Sequence, residues 1–394
     1  MTEWQVKKLN QLVSFKTGKL DSNAAKPNGQ YPFFTCSQQT LKTDTYSFDE
    51  EVVLLGGNNA NGIYPLKYFC GKFDAYQRTY VIRSTDSLQL RNRYLYYSLR
   101  LQLDFLRSLS TGSATKFLTL TILNDFDLIL PPVNIQDKII DILSAYDDLI
   151  ENNTRRIKIL EEMAQMLYRE WFVNFRFPNH ENVKMVESEL GLIPERWEVK
   201  RLGDIAQEVR RGVNPNLVDP ETPYFGLEHL PRKSIALSDW GKAGDIQSTK
   251  LAFKKGEILF GKIRPYFHKV GVAPVDGICS SDAIVIQPRD SKYFAVVLSC
   301  VSSEDFVNHA TQTSQGTKMP RANWDVLTKY PVILPTSNLL NQFTEFINNA
   351  VKEIQNLVLK NINLRKTRDL LLPKLISGEI DVENLNIETL EIAA

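Results

Sequence analysis

The chain has 394 residues, with 43% hydrophobic and 24% charged side chains and a net charge of +1, and its length predicts two or three domains. No segment reaches the roughly 18 to 20 consecutive apolar residues of a membrane span, and the first residues lack an apolar signal segment, so we expect a cytoplasmic protein without membrane association. The cysteines, Cys36, Cys70, Cys279 and Cys300, have neither metal-site spacing nor paired histidines, so we expect buried, reduced thiols, no metal and no cofactor.

Four residues near the start of the chain recur, in type and spacing, 193 positions later. They are Trp4, Val6, Lys7 and Leu9 in the first copy and Trp197, Val199, Lys200 and Leu202 in the second. Each copy continues through a turn-rich stretch to a Leu-Pro step, at Leu130 or Leu334, and a segment with helical periodicity follows each step. The repeat predicts two similar globular domains, each followed by a long helix.

The predicted boundaries are 1–133 for the first domain, 134–177 for the first long helix, 178–195 for a linker, 196–336 for the second domain, 337–377 for the second long helix and 378–394 for a tail. Short β-branched and aromatic runs predict strands at 51–55, 79–83, 256–260 and 283–287, and longer periodic segments predict helices at 91–106 and 292–309. Each domain is therefore expected to be an α+β unit. Trp4 and Trp197 are expected to anchor the cores rather than to stack on bases.

Apolar residues in each long helix recur at steps of three or four and mark one stripe. Each stripe contains one asparagine, Asn153 or Asn361. A buried asparagine fixes the register of a helix pair at a cost in stability, whereas the alternative is that both face solvent at the edge of the stripe. Antiparallel coiled-coil pairing would separate the two domains with pseudo-twofold symmetry. The residues expected to pair are Leu149, Asn153, Ile157, Leu160, Ile354, Leu357, Asn361 and Leu364.

The ends of the helices carry their own signals. Asn134 and Asn338 are expected N-caps. Pro373 is expected to interrupt the second helix, and Gly378 to end it.

The charge is divided unevenly along the chain. Residues 1–133 hold 15 Lys+Arg against 11 Asp+Glu, and residues 196–335 hold 19 against 15, whereas the helical segments and the linker are acidic. Basic domains suit a nucleic-acid partner, because Lys and Arg neutralise phosphates. Domains that bind no DNA often carry the same charge, so this asymmetry does not decide the function.

Several features, taken in their order, resemble the specificity (S) subunit of type I restriction-modification systems. They are the repeated order of domain and helix, the openings Trp-x-Val-Lys-[Lys/Arg]-Leu, the linker Gly-Leu-Ile-Pro-Glu-Arg-Trp at 191–197, the Leu-Pro-Pro step at 130–132 and the closing segment Leu-Leu-Pro-Lys-Leu-Ile-Ser-Gly-Glu-Ile at 371–380. The resemblance covers nearly the whole chain, although Thr336 stands where the first copy has a second proline.

The resemblance implies a DNA-recognition subunit that is not itself an enzyme. Each domain would be a target recognition domain that reads half of a bipartite, asymmetric site in double-stranded DNA. The helices would set the spacing and dock two methyltransferase subunits, and partner subunits, including restriction/translocase subunits, would methylate adenine or cleave. Further apolar residues on the outward faces of the helices are expected to contact those partners at least in part; these are Ile140, Leu143, Ile150, Met163, Met166, Leu340, Ile347, Val351 and Val358.

DNA contacts require cations for phosphates and planar polar side chains for base edges. Polar loop segments of that composition occur in both domains, and the alternative for each is a solvated turn. The Gly-Lys-Ile-Arg-Pro turn, with Lys262 and Arg264, is the strongest of them. The candidates are Lys16, Lys19, Asn58, Asn59, Asn61, Tyr76, Arg78, Ser113, Lys116, Arg210, Arg211, His229, Lys262, Arg264, Tyr266, Thr317 and Lys318.

The chain lacks the motifs of the expected partner activities. It has no phosphate-binding Gly-x-x-x-x-Gly-Lys-[Ser/Thr] loop and no [Asn/Asp]-Pro-Pro-aromatic tetrapeptide, and its histidines are scattered. Two other functions stay open. A structural adaptor would show DNA binding that is insensitive to salt, and a self-contained nuclease would show a metal- or nucleotide-dependent activity of its own.

Overall fold

The computed structural model describes residues 4–59, 63–110 and 116–385, and the chain forms two compact units. The first unit contains Met1–Asp148 with Arg365–Ala394, and the second contains Leu149–Leu364. Each unit combines β-sheets, short helices and parts of both long helices. The predicted α+β class is confirmed.

The first unit is built on a six-stranded sheet. Its strands, in spatial order, are Val13–Thr17, Thr79–Ser84, Phe48–Gly56, Leu66–Ala75, Tyr31–Phe34 and Leu41–Thr43. Two short pairs accompany it, Gln5–Lys8 with Asp127–Leu130 and Asn58–Asn59 with Lys116–Phe117. The short α-helices are Asn92–Leu101, Leu103–Leu109 and Leu120–Asn124.

The central strand of this sheet is buried on both faces, because successive side chains in a strand point to opposite sides. Val53 and Leu55 lie in the core that includes the short helices, whereas Val52 and Leu54 lie in a second cluster with Phe73. The unbroken apolar run in this strand therefore fills two cores.

The second unit contains two larger sheets. One has the order Ala206–Glu208, Ala283–Pro288, Ile258–Gly261 and Val270–Val272, and the other has the order Arg211–Val213, Lys250–Phe253, Gly277–Cys279, Pro223–Phe225 and Gly241–Lys242. Two antiparallel pairs are Glu198–Arg201 with Pro331–Leu334 and Met185–Ser188 with Gly191–Pro194. The short α-helices are Leu202–Ile205, Phe294–Val301, Glu304–Gln312 and Trp324–Leu327.

The sequence repeat corresponds to equivalent strand pairs. Val6 pairs with Ile129 in the first unit, and Val199 pairs with Ile333 in the second, so in each copy the opening strand pairs with the closing one. Trp197 is 6% exposed and Trp4 is half-buried, and each packs on the core of its unit, as expected.

The long helices are Val133–Tyr168, which continues as a π-helix over Arg169–Val173, and Ser337–Ile376. In the second unit Asn153 lies opposite Asn361, and Ile157 clusters with Leu357 and Ile354, so the helices run antiparallel there. Both asparagines are buried, and Nδ2 of Asn153 donates to Oδ1 of Asn361 at 2.9 Å. The alternative of two solvent-facing asparagines is wrong.

We expect Asn361→Ala to lower the free energy of unfolding by about 1–3 kcal/mol, because it leaves the amide of Asn153 buried without its partner. Denaturant unfolding followed by circular dichroism measures this. Asn356→Ala, an exposed asparagine on the same helix, is the matched control. The double variant Asn153→Leu, Asn361→Leu should recover stability, since no polar group is then left buried; equal losses for Asn361→Ala and Asn356→Ala would contradict the prediction.

One of the residues predicted to pair between the long helices needs correction. Leu149 is 42% exposed, because Leu149, Asn153 and Ile157 are four residues apart and each step of four rotates the side chain by about 40° around the helix. Ile157, Ile354 and Leu357 are buried, and Leu160 and Leu364 are half-buried.

The helix ends also differ from the predictions. The helices begin at Val133 and Ser337, so Asn134 and Asn338 lie inside the first turn rather than at the cap. Pro373 does not interrupt the second helix. The residues around it, Leu372, Leu375 and Ile376, are buried in the core of the first unit, and this packing outweighs the hydrogen bond that proline loses.

Gly378 follows the second helix at a φ of +76°, where L side chains are strained. A Cβ at this position would also lie 3.1 Å from the Trp4 ring. Glycine therefore meets both the backbone and the packing requirement at the expected end of the helix.

Each of the two predicted short helices is divided in two. The segment 91–106 breaks at Gln102, and 292–309 breaks at Ser302 and Ser303. Ser303 caps the following helix by accepting the N–H of Phe306 at 3.2 Å, so a polar pair ends one helix and starts the next.

Most of the apolar residues expected to face outward are buried. Each long helix packs on a domain as well as on its partner helix, which widens its buried face. The buried residues are Leu143, Leu340, Ile347, Val351 and Val358, whereas Met163 and Met166 are exposed and Ile140 and Ile150 are half-buried. Among the cysteines, all of which are free, Cys70 is exposed and Cys36 is half-buried, against expectation.

Candidate nucleic-acid interface

In the first unit, predicted loops converge where the central strand ends. Gly57 donates its N–H to the carbonyl of Arg78 at 2.8 Å and accepts the N–H of Leu118 at 2.9 Å. These bonds hold Asn58–Asn59 beside Lys116–Phe117. Segment 16–19 joins them, because the N–H of Gly18 lies 3.3 Å from the carbonyl of Thr79. Four segments selected from sequence thus form one surface.

The second unit has a turn with the same hydrogen-bonding pattern. Lys262 donates its N–H to the carbonyl of Asp282 and accepts the N–H of Ala322, both at 2.9 Å. The N–H of Arg264 donates to the carbonyl of Pro320 at 2.7 Å. Turn 262–266 is therefore joined to the loop that carries Thr317 and Lys318.

The two turns occupy equivalent positions in the repeat. Gly57 and Lys262 each follow the strand that is third from one edge of its sheet. Each donates its backbone N–H to the residue just before the second strand of that sheet, Thr79–Ser84 or Ala283–Pro288. The duplication has therefore preserved a backbone framework while the side chains on it changed. Such a framework can present different polar groups from one geometry.

Part of the predicted set is open to a ligand. Lys19 and Lys318 are exposed and Lys262 is half-buried, and none of the three forms an ion pair with a described residue. Arg78 is exposed and lies over the Phe117 ring at 5.8 Å. Cations without a carboxylate partner are the ones available to neutralise phosphate.

Other predicted residues have partners. Arg211 forms a bidentate ion pair with Glu257 at 2.7 and 2.8 Å, and the hydrogen bond to this carboxylate raises the pKa of Arg211. Arg210 binds Glu208 at 2.7 Å but stays 71% exposed, and Lys16 lies 3.6 Å from Glu50. Arg211 therefore has a structural role.

His229 also serves the fold. Its Nδ1 accepts the N–H of Gly226 at 3.0 Å and stabilises a short turn. His180 and His268 bond to backbone carbonyls, and burial lowers the pKa of His268. All three histidines therefore make hydrogen bonds within the fold, and His229, which was a candidate for DNA contact, has a structural partner.

The turn in the second unit contains strain and an unpaired donor. Arg264 has a φ of +49°, and its buried Nε has no hydrogen-bond partner among the described residues. In the first unit, Oδ1 of Asn58 is likewise buried and unpaired. Tyr266 is 51% exposed and Tyr76 is half-buried. Strain and unpaired polar atoms of this kind concentrate at functional sites.

Sequence reasoning missed two cations beside this turn. Arg321 lines an open cleft of about 530 Å³ together with Arg210, Lys262 and Gly316. Arg232 stacks on the Phe267 ring at 4.1 Å, next to Tyr266. Arg321 follows Lys318 by three residues, so a candidate loop defined three residues longer would have included it. Arg232 had no such signal, because it comes from a distant loop.

Some predicted contacts cannot be placed. Asn61 and Ser113 lie outside the described residues, and of Asn59 and Lys116 only the backbone is described. Within the described ranges, no group of three or more His, Cys, Asp or Glu residues is arranged to hold a metal ion. Those ranges also contain no helix with the length and hydrophobicity of a membrane span.

The two α+β units share an opening and closing strand pair and one backbone framework, with exposed cations on or near it, and so define a repeated two-domain protein. The family model described as "Type I restriction modification DNA specificity domain" matches residues 1–162 and again 194–364. The chain belongs to the family of type I restriction-modification specificity subunits, which are non-catalytic recognition components.

Individual relatives agree with this assignment. The EcoDI specificity subunit of Escherichia coli is 28% identical over 418 residues, covering 97% of this chain and 89% of that protein. The MjaIX specificity subunit of Methanocaldococcus jannaschii is 30% identical over 310 residues, covering 75% and 70%. A crystal structure of the S subunit from M. genitalium aligns with a TM-score of 0.63 at 16% identity, over 94% of this chain and 96% of that one, and shares the fold.

Proposed function

We propose that each domain reads one half of a bipartite, asymmetric site in double-stranded DNA. The long helices set the gap between the half-sites and dock two methyltransferase subunits. Those subunits methylate adenine, and restriction/translocase subunits cleave unmodified DNA, in the cytoplasm. In this proposal the two recognition domains have the boundaries predicted from the sequence, 1–133 and 196–336.

The observation that carries the proposal is the shared framework around Gly57 and Lys262. Two equivalent turns suit a target with two half-sites, since each domain can approach DNA in the same way. Their different side chains suit an asymmetric target, because base identity is read by the side chains and not by the framework. In the first domain we assign contacts to Lys16, Lys19, Asn58, Asn59, Asn61, Tyr76, Arg78, Ser113 and Lys116. In the second we assign them to Arg210, Lys262, Arg264, Tyr266, Thr317, Lys318 and the added Arg321.

The docking proposal has a separate basis on the first long helix. Ile159, Met163, Met166 and Val173 are between 41% and 59% exposed and recur at helical spacing. They form an apolar stripe, here called the exposed stripe. An apolar helix face open to solvent suits a protein partner, and methionine adapts to irregular partner surfaces.

Methylation mapping tests the function. The chain is expressed with the methyltransferase subunit encoded beside it in a host that lacks other adenine methylation. We expect methylated adenines in a split motif, two short half-sites with a fixed unspecified gap. An assembled complex that yields no split motif would refute bipartite reading and leave the adaptor function.

A further inference from the structure

The linker before the second domain forms a β-hairpin whose apolar side chains face solvent. Its strands are Met185–Ser188 and Gly191–Pro194. Met185, Val186, Leu190 and Leu192 are between 37% and 54% exposed. A single two-stranded hairpin is at best marginally stable alone. Four exposed apolar side chains on so small an element therefore require an explanation.

The hairpin is held in one conformation from its base and its turn. Ile193 belongs to the core of the second unit, and the N–H of Glu195 donates to the carbonyl of Lys184 at 2.7 Å. At the turn, Oγ of Ser188 donates to the carbonyl of Gly191 at 2.7 Å, and Gly191 has a φ of +90°. The exposed side chains are thus presented on a fixed element.

Charge identifies the kind of partner. The linker 178–195 holds one Lys against four Glu, among them Glu187 and Glu189 on the hairpin itself. An acidic surface repels the DNA backbone, and this charge favours a protein partner over nucleic acid. An apolar surface bordered by carboxylates is complementary to an apolar surface bordered by Lys and Arg on the partner protein.

The hairpin and the end of the exposed stripe both adjoin one aromatic cluster. Val173, the last residue of that stripe, adjoins Phe172, whose ring lies 5.7 Å from the ring of Trp197. The N–H of Trp197 donates to the carbonyl of Pro194, the last residue of the hairpin, at 3.1 Å. One aromatic cluster in the second unit therefore supports both apolar surfaces.

We propose that the hairpin Met185–Pro194 is a second docking element for the methyltransferase subunit. The subunit binds the hairpin on an apolar surface that is bordered by basic residues. The proposal rests on the proposed function, because it extends the surface that the exposed stripe begins. It adds an element outside the long helices, and it gives the acidic linker a binding role.

The test compares three double variants of the full chain for binding to the purified methyltransferase subunit, by sedimentation or calorimetric titration. Leu190→Ser, Leu192→Ser removes apolar surface from the hairpin, and Met163→Ser, Met166→Ser removes it from the exposed stripe. Leu88→Ser, Leu217→Ser is the matched control, since both leucines are more than 80% exposed elsewhere. We expect the hairpin variant to bind at least about tenfold more weakly and the control to bind normally, as buried anchors commonly contribute this much.

The outcomes separate the two proposals. Normal binding by the hairpin variant with weak binding by the stripe variant overturns the hairpin proposal and leaves the docking function intact. Normal binding by both variants overturns both. Glu187→Lys supplies an independent readout, because reversing a rim charge should slow association and reduce its dependence on salt without affecting the fold.

Discussion

Replacing Lys262 and Arg264 together by alanine should abolish detectable methylation of the split motif while the complex with the methyltransferase subunit still forms. Each lost DNA contact removes about 1–3 kcal/mol of binding free energy. The loss of two contacts removes about 2–6 kcal/mol, which corresponds to DNA binding that is weaker by at least about 30-fold. Lys262 has no ion-pair partner among the described residues, and the Nε of Arg264 is unpaired. Both side chains can therefore bind DNA without first breaking an ion pair or hydrogen bond of those groups within the protein, so their removal costs the full contact energy.

The size of the salt dependence identifies the kind of contact. Loss of phosphate contacts should lower the dependence of DNA affinity on salt by about one unit of slope for each cation, whereas loss of a base contact should relax the motif at one position. Lys200→Ala, Lys292→Ala removes the same charge from the same domain. Lys200 lies in the strand that pairs with Pro331–Leu334, and the carbonyl of Lys292 accepts from Thr344 of the second long helix, so both are away from the turn. Equal methylation by the two double variants would remove the turn from the interface.

Arg368→Ala should lower the free energy of unfolding of the first unit by about 3–5 kcal/mol. Arg368 is 6% exposed, and its guanidinium bonds to Asp147 on the first long helix and to Asp369. Tyr97 donates its hydroxyl to the other oxygen of Asp147 at 2.9 Å, and burial, with this carboxylate close by, raises the pKa of Tyr97. Removing the guanidinium leaves the carboxylate of Asp147, which is 23% exposed, with the Tyr97 hydroxyl and a longer ion pair to Arg100 at 3.8 Å, and this weaker compensation of the charge is the main cost.

Hydrogen exchange as a function of denaturant measures this loss in the unit concerned. Peptides from Asn92–Leu101 report on the first unit, and peptides from Phe294–Val301 report on the second as an internal reference. Lys26→Ala is the control in the same unit, because Lys26 is 62% exposed and its ion pair with Asp44 lies at the surface. It should change stability by no more than about 0.5 kcal/mol. A loss equally small for Arg368 would mean that the network contributes little to folding.

The elements predicted best were those with a strong periodic pattern. The strands at 51–55 and 283–287 were found within longer strands, and the second long helix ends one residue from its predicted end. In each of these segments the apolar pattern is regular enough to distinguish a strand from a helix. The breaks at Gln102 and at Ser302–Ser303 were missed, since one or two polar residues within a longer periodic segment give little local signal.

Among the candidate contacts, the sequence identified residue types but not their pairing. Arg210 and Arg211 are adjacent and identical in type, yet Arg210 pairs with Glu208 two residues away and stays 71% exposed, whereas Arg211 is 38% exposed and pairs with Glu257, 46 residues away. No local pattern distinguishes them, because the distinction depends on which carboxylate the fold brings near.

The sequence by itself determined the repeat, the α+β class, the two asparagines and the family, because each is written in residue order or in periodic spacing. Only the tertiary structure decided that Asn153 meets Asn361, that Leu143 and Ile347 are buried, and that the turns at Gly57 and Lys262 share one framework. These facts depend on contacts between residues far apart in the chain. Such contacts follow from how whole elements pack, and local spacing does not encode them.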